Sequence, residues 1–137
     1  MKFTKTTEYA IRAVLYMTSE PDVLLSVNHI HQRLDIPYKY LGQLMSKLSA
    51  SGLVESVKGK HGGYRINQTR TPIYLAEIIE IVEGLADYDR CILGFSECMD
   101  KNPCSLHHLW LEQLKGLRKI IYTVSVDDLL KNESVKF

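Results

Sequence analysis

The sequence of 137 residues lacks a long hydrophobic run. It contains no uninterrupted stretch of about 18 apolar residues, which is the length that a transmembrane helix needs. Its first residues, MKFTKTTEYAIR, carry polar and acidic side chains where a secretory signal peptide requires an apolar segment. We therefore expect a cytoplasmic protein that does not associate with a membrane.

Cysteine is scarce, and the three cysteines are confined to one short segment, at Cys91, Cys98 and Cys104. An odd number of cysteines argues against a framework of disulfides and favours a reducing compartment. The pattern is typical of metal ligands or redox-active thiols.

The formal net charge is only +1, so total charge indicates no partner. The charge is unevenly distributed, however. Residues 30–70 contain seven Lys or Arg and two acidic residues, whereas residues 71–100 contain one Lys or Arg and seven acidic residues. A local basic surface is what binding to nucleic acid phosphates requires, and total charge can hide it.

Motifs of enzymes are absent as well. The sequence has no G-x-S-x-G, no H-E-x-x-H and no phosphate-binding loop, and its length suits one compact unit with an extension. A small metalloenzyme is the alternative, but it would need convergent acid, base or nucleophilic groups. We expect a protein that is not an enzyme.

Apolar periodicity and capping residues predict a mainly α-helical fold with one small β-hairpin. Helical patterns begin after the threonines of FTKTTEYAIRAVLYM, after Ser26, after the turn Asp35–Pro37 and after Ser125. A further helical pattern lies within IYLAEIIEIVEG and ends at Gly84. Another long pattern covers residues 106–124. The alternating segments LVESV and YRIN flank the turn KGKHGG and indicate a hairpin.

This order of elements is that of a winged helix-turn-helix followed by a long C-terminal helix. It predicts a DNA-binding domain over residues 1–84, a cysteine-containing loop over 85–105, and a dimerisation helix with a tail over 106–137. The apolar stripe of the long helix needs a cover, for which a second subunit is the natural choice. The last residues, KNESVKF, are expected to be frayed.

The second helix of a helix-turn-helix presents its N-terminal residues to bases in the major groove. Gln43 is the best candidate for a base contact, because its amide can pair with adenine through two hydrogen bonds. The full set of candidates on this helix and on the wing is Tyr38, Lys39, Tyr40, Gln43, Lys47, Lys58, Lys60, His61, Gly62 and Arg65. The alternatives are a solvated helix face with a charged hairpin, and a winged helix that mainly binds another protein.

The cysteines and His107 form the pattern C-x6-C-x5-C-x2-H. Thiolates bind iron-sulfur clusters and zinc, and imidazole can replace thiolate on a [2Fe-2S] centre. Zinc sites usually contain closely spaced cysteine pairs, so these wider gaps favour a cluster, with [2Fe-2S] preferred over [4Fe-4S]. A zinc site and a redox switch made only of thiols remain the alternatives.

Taken together, these motifs resemble the Rrf-type family of winged-helix regulators. TTEYAIRAVLYM resembles the opening helix of that family, and IPYKYLGQLMSKLSASGLVESVKGKHGGYRI its helix-turn-helix and wing. CSLHHLW followed by TVSVDDLL is most similar to the iron-sulfur branch of the family. The resemblance implies a homodimer paired through the long helix, an imperfect palindrome of double-stranded DNA, and a cluster whose state alters DNA affinity.

The resemblance also introduces an alternative fourth ligand. Glu8 stands where some members use an acidic ligand donated by the opposite subunit. We expect His107 to be the ligand in the resting state, because it lies one helical turn from Cys104 and loop closure already places it near the metal.

Overall fold

The computed structural model describes residues 3–132 and 136–137. Within them, six α-helices and one antiparallel hairpin follow the predicted order, which confirms the mainly helical winged-helix fold. The helices are α1 (Lys5–Ser19), α2 (Val27–Leu34), α3 (Tyr38–Ala50), α4 (Leu75–Val82), α5 (His107–Thr123) and α6 (Val126–Leu130), and the strands are β1 (Val54–Val57) and β2 (Gly63–Ile66). Two short 3-10 helices, Gln68–Arg70 and Ala86–Asp89, were not predicted.

Helix α1 is the centre of the core. Its predicted inward face, Ala10, Ala13, Val14 and Met17, is fully buried. Thr4 caps its N-terminus by accepting a hydrogen bond from the backbone of Thr7 at 3.3 Å. Because α1 contacts α2, α3, β2, α4 and α6, the helix-turn-helix and the C-terminal helices share one hydrophobic core.

The helix-turn-helix forms at the residues that the sequence indicates. Ser26 caps α2 by accepting from the backbone of His29 at 3.0 Å, and α2 ends at Asp35, whose φ of 54° is left-handed. Helix α3 is held against the core by buried apolar side chains and ends before Gly52, which has a φ of +80°. The buried residues of α3 are Leu41, Leu44, Met45 and Leu48.

The wing is a two-stranded hairpin with Val54 opposite Ile66 and Val57 opposite Gly63. Leu25 extends it, because its backbone exchanges two hydrogen bonds of 2.8 Å with Tyr64. At the turn, a Cβ on Gly62 would lie 2.0 Å from the carbonyl oxygen of Val57. Only glycine therefore allows the wing to close with this backbone.

Helix α5 packs on α4, and the apolar stripe predicted along it divides into two faces. Leu114 and Ile121 are buried at 5% and 1% exposure. Leu109 and Ile120 are 71% and 52% exposed. The subunit itself therefore covers only one of the two faces.

Ser125 and Asp128 form a capping box at the start of α6, as expected for the last short helix. The predicted frayed tail includes residues 133–135, which lie outside the described residues. Phe137 packs on Tyr16, with ring centroids 6.0 Å apart. In the described part of the chain, no helix has both the length and the apolar character needed to cross a membrane.

Candidate nucleic-acid interface and metal centre

The exposed face of α3 carries part of the predicted DNA-binding set. Lys39 and Gln43 are exposed, and Tyr38 is 55% exposed with its ring edge against His31, at a centroid distance of 5.9 Å. Solvent therefore reaches all three predicted side chains at the N-terminal half of α3.

Two other predicted residues on α3 are engaged within the subunit. The hydroxyl of Tyr40 is hydrogen-bonded to Thr6, and its ring packs edge-on against Tyr9 at 5.5 Å. Lys47 donates from Nζ to the carbonyl of Val82 at the end of α4, at 3.4 Å. Their present contacts therefore join α3 to its neighbours. The sequence placed Lys47 on the DNA face by periodicity, and Tyr40 there because it lies at the N-terminal end of the recognition helix.

On the wing, Lys58, Lys60 and His61 are exposed at the turn that Gly62 closes. Arg65 lies opposite Glu55 on the neighbouring strand and forms an ion pair of 2.9 Å with it. The turn is therefore the most cationic part of the hairpin, because the charge of Arg65 is matched by a carboxylate.

The three cysteines converge, although the first and the last are 13 positions apart in the chain. Their Sγ atoms all lie within 4.8 Å of one another, and those of Cys91 and Cys104 are 3.6 Å apart. All three are half-buried, in a segment of turns between the 3-10 helix Ala86–Asp89 and α5.

The thiols differ in acidity. Partial burial opposes ionisation of Cys91, but hydrogen bonds from the backbone of Phe95 and Leu93 and from the neighbouring thiols lower its pKa to about 7. The backbone of Cys104 favours ionisation of Cys98, but burial and the two neighbouring thiols together raise its pKa. Three adjacent thiolates repel one another, so a bound cation would relieve this repulsion.

His107 lies beside this cluster of thiols. It is the first residue of α5, its side chain is only 13% exposed, and its Nδ1 is 3.1 Å from Sγ of Cys98. Its Nε2 is 3.0 Å from Oδ1 of Asp100. Sequence reasoning missed Asp100, because a lone acid two residues after a cysteine carries no signal for this contact.

Glu8, the alternative ligand, lies in the first turn of α1. Its carboxylate forms an ion pair of 2.7 Å with Lys5 of the same turn. Within one subunit, therefore, the structure brings together the three cysteines and His107, with Glu8 on a different element.

A cavity of about 150 Å³ opens between the cysteine segment and α5. Cys91, Cys98, His107 and Trp110 are among its lining residues. The indole Nε1–H of Trp110 is buried with no hydrogen-bond partner among the described residues. A buried N–H needs an acceptor, and a cluster bound to these thiols would bring sulfur acceptors to this cavity, so the residues suit such a group.

The end of α4 connects the DNA-binding elements with the cysteine segment. Glu83 accepts hydrogen bonds from Thr4, the cap of α1, and from the hydroxyl of Tyr88 at 2.5 Å. Tyr88 is buried and lies three residues before Cys91. Together with the bond from Lys47 to Val82, these contacts join α1, α3 and the cysteine segment at one point.

Replacing Glu83 with glutamine should destabilise the fold in a pH-dependent way. Burial opposes ionisation of Glu83, but the hydroxyls of Thr4 and Tyr88 outweigh it and lower its pKa. A lowered pKa contributes stability above the pKa of the unfolded chain, and this contribution is lost as pH falls through the folded value. We expect Glu83→Gln to cost about 1 kcal/mol at neutral pH.

Urea unfolding of both proteins at neutral pH and in acid measures this difference in stability. The gap between them should close in acid, where the parent carboxylate is protonated too. A gap independent of pH would mean that the charge of Glu83 is not what stabilises the junction. Glu112→Gln on α5 provides a control, because that exposed acid forms its ion pair with exposed Lys115 of the same helix.

Comparison with known proteins shows that the chain is similar to one family of transcriptional regulators. A family model described as Rrf2, iron-dependent transcriptional regulator, matches residues 3–132. The HTH-type transcriptional regulator IscR of Xenorhabdus nematophila is 33% identical over 98% of this chain and 82% of its own length. IscR of Escherichia coli is 30% identical over 98% and 83%.

Solved structures are similar over nearly the whole chain. The structure of T. potens IscR gives a TM-score of 0.75 at 25% identity, covering 100% of this chain and 93% of that one. CymR, described as the global cysteine regulator of B. subtilis, gives 0.76 at 22% identity over 96% and 97%, which supports the fold. The named relatives are transcriptional regulators and not enzymes, as the sequence predicts.

Proposed function

We propose a function from the premise that this chain belongs to the Rrf2 family and is a transcription regulator. It acts in the cytoplasm as a homodimer that senses redox, iron or nitric oxide status through an iron-sulfur cluster. The observation that carries the proposal is the convergence of three thiols within 4.8 Å. In functional terms, residues 1–84 bind DNA, residues 85–105 hold the cluster, and residues 106–137 pair the subunits.

For DNA binding, α3 lies in the major groove and the wing contacts the phosphate backbone. The exposure of Lys39 and Gln43 supports the first contact, and the exposure of Lys58, Lys60 and His61 supports the second. Tyr38 completes the exposed end of α3. Tyr40, Lys47, Gly62 and Arg65 then support the interface by fixing α3 and the shape of the hairpin.

Replacing Lys60 with alanine should weaken binding to all DNA sequences alike. A lysine that neutralises a phosphate releases a counterion, so the slope of log K against log salt should fall by about one per subunit bound. Gln43→Ala should instead relax specificity at one base pair, by about 1–3 kcal/mol. Binding titrations at several salt concentrations, with specific and unrelated duplexes, measure both effects.

Lys115→Ala is the matched control for Lys60→Ala. It removes the same charge from an exposed position on α5, where Lys115 pairs with Glu112 in solvent. We expect its salt dependence to equal that of the parent. If Lys60→Ala also equals the parent, the wing does not contact phosphate.

For the cluster, the three thiols and His107 are the candidate ligands. The Sγ atoms of Cys91 and Cys104 are 3.6 Å apart, and Sγ of Cys98 lies 3.1 Å from Nδ1 of His107. Imidazole can replace thiolate on a [2Fe-2S] centre, so a set of three thiolates and one imidazole suits a [2Fe-2S] cluster, which we favour over [4Fe-4S].

When bound, such a cluster supplies one-electron redox chemistry and sensitivity to oxidants. The chain contributes the ligands, Trp110 in the cavity that Cys91, Cys98 and His107 also line, and the junction at Glu83. Because Tyr88 joins the cysteine segment to α1 through Glu83, a change in the segment can reach the DNA-binding elements over a short path.

The deciding experiment is anaerobic reconstitution with iron and sulfide. We expect visible absorption, two irons and two sulfides per subunit, and an electron paramagnetic resonance signal after reduction. DNA affinity for an imperfect palindrome should differ between the cluster-bound and the metal-free protein. A colourless protein that holds no iron would contradict the cluster proposal.

A switch made only of thiols is the second candidate. The proximity of Cys91 and Cys104, together with the pKa of about 7 for Cys91, favours a disulfide between these two residues in metal-free protein. Mass spectrometry after peroxide treatment would detect that bond. Regulation of DNA binding by peroxide in protein without iron or zinc would favour this candidate, whereas stoichiometric zinc after purification would favour a zinc site.

A further inference from the structure

Both ring nitrogens of His107 are engaged by neighbours of different chemistry. Nδ1 lies 3.1 Å from Sγ of Cys98, and Nε2 lies 3.0 Å from Oδ1 of Asp100. The imidazole is only 13% exposed, whereas the carboxylate is 79% exposed. Asp100 therefore approaches the ring from the solvent side, and Cys98 occupies the inner side.

We propose that Asp100 is a positioning residue that fixes the tautomer of His107 and makes Nδ1 its ligand atom. An ionised carboxylate only accepts hydrogen bonds, so the proton of a neutral imidazole is held on Nε2. Nδ1 then presents its lone pair to the thiol side. This inference rests on the proposed function, because it concerns the fourth ligand of the same site.

The backbone holds both partners in place. Met99 and Asn102 exchange backbone hydrogen bonds of 3.4 and 2.8 Å, which places Asp100 in a tight turn directly after Cys98. The backbone of His107 donates to the carbonyl of Cys104 at 3.1 Å, so the histidine is fixed by its own turn. Each member of the contact is therefore tied to a ligand cysteine by a short turn.

A carboxylate that orients a ligating histidine and makes it more basic typically improves metal affinity by about 10- to 100-fold. Asp100 has the geometry for this role, and Glu97 is the matched comparison. Glu97 is an exposed acid in the same segment, next to Cys98 in the chain. Glu97→Gln removes the same charge as Asp100→Asn without touching His107.

The tautomer is measured first, by nitrogen NMR of His107 in reduced, metal-free protein at about pH 8, where an ordinary histidine is neutral. We expect a proton on Nε2 in the parent and in Glu97→Gln, and a mixture of tautomers in Asp100→Asn. A proton on Nδ1 in the parent, or protons on both nitrogens, would overturn the proposal.

Cobalt(II) titration of the metal-free protein measures the consequence for binding. We expect Asp100→Asn to lower the affinity for cobalt about 10- to 100-fold, and Glu97→Gln to change it little. Equal affinities in the two variants would remove Asp100 from this role. The same holds if cobalt binds equally well to a variant in which the three cysteines are alanine, since Asp100, His107 and His108 would then form a site of their own.

The two proposals fail in different ways. If reconstitution yields no iron-sulfur cluster but the tautomer and the cobalt affinity depend on Asp100, the proposed function is wrong and the positioning role stands. If the cluster forms and neither property depends on Asp100, the function stands and the positioning role is wrong.

Discussion

Cys98→Ala should emerge from anaerobic reconstitution without the visible absorption of the parent and with almost no iron. Its Sγ lies within 4.8 Å of the other two thiols and 3.1 Å from Nδ1 of His107, so its loss removes one of the four proposed ligands. The variant should bind DNA with one affinity whether or not it has been exposed to iron and sulfide. Iron analysis and DNA titrations before and after reconstitution measure both results.

Ser96→Ala is the control for this prediction. Ser96 is an exposed residue of the same segment, and its removal leaves all three thiols and His107 in place. The control should reconstitute like the parent. Retention of the chromophore by Cys98→Ala, or a metal-free Cys98→Ala protein that still regulates DNA binding fully, would contradict the cluster proposal itself.

His107→Ala and Glu8→Ala distinguish the two candidates for the fourth ligand. In the described part of one subunit, His107 contacts Cys98, whereas Glu8 forms an ion pair with Lys5 on α1. We expect the His107 variant to show altered absorption and an altered spin-resonance signal after reduction. The reverse result, with changed spectra only in Glu8→Ala, would assign the ligand to the carboxylate.

The fold could be predicted from local signals because those signals are strong. The face formed by Ala10, Ala13, Val14 and Met17 shows helical periodicity, and all four residues are buried. Ser26 and Ser125 stand at helix starts and form the expected caps. Each of these features depends on residues within one or two turns, so the sequence contains all of its causes.

Contacts between residues that are far apart in the chain could not be predicted from sequence patterns. Periodicity puts Lys47 on the exposed face of α3, and Tyr40 is a candidate through its place at the helix N-terminus. Neither signal can show that the carbonyl of Val82 and Thr6 bind these side chains. The bridge from Leu25 to Tyr64 and the contact of Asp100 with His107 likewise arise only when separate segments meet. Spacing did indicate the cysteine site, because ligand chemistry restricts it to few residue types.

The stripe on α5 shows the same limit. The sequence predicts one apolar face over residues 106–124, whereas α5 has two. Leu114 and Ile121 face the core of the subunit, and Leu109 and Ile120 remain exposed. Hydropathy alone counts apolar residues without showing which neighbour covers each one, so it could not separate the two faces.

The double substitution Leu109→Glu and Ile120→Glu should convert a dimer into a monomer. With Gly116 these residues follow the spacing of one helix face, and a Cβ on Gly116 would meet nothing within 4 Å, so a second helix can approach closely there. Carboxylates at the centre of a paired apolar face would lose hydration without gaining a partner. Sedimentation at micromolar concentration measures the state of assembly.

Tight binding to a palindrome should be lost together with the dimer. Two linked half-site contacts exceed one by about 100-fold or more, so affinity for a palindrome should fall by that factor while the weak, salt-dependent binding to any duplex persists. Lys115→Glu changes the net charge by the same two units on a different face of α5 and should remain dimeric. A double variant that still sediments as a dimer would place the subunit interface elsewhere, whereas a parent protein that is monomeric would remove the palindrome along with the dimer.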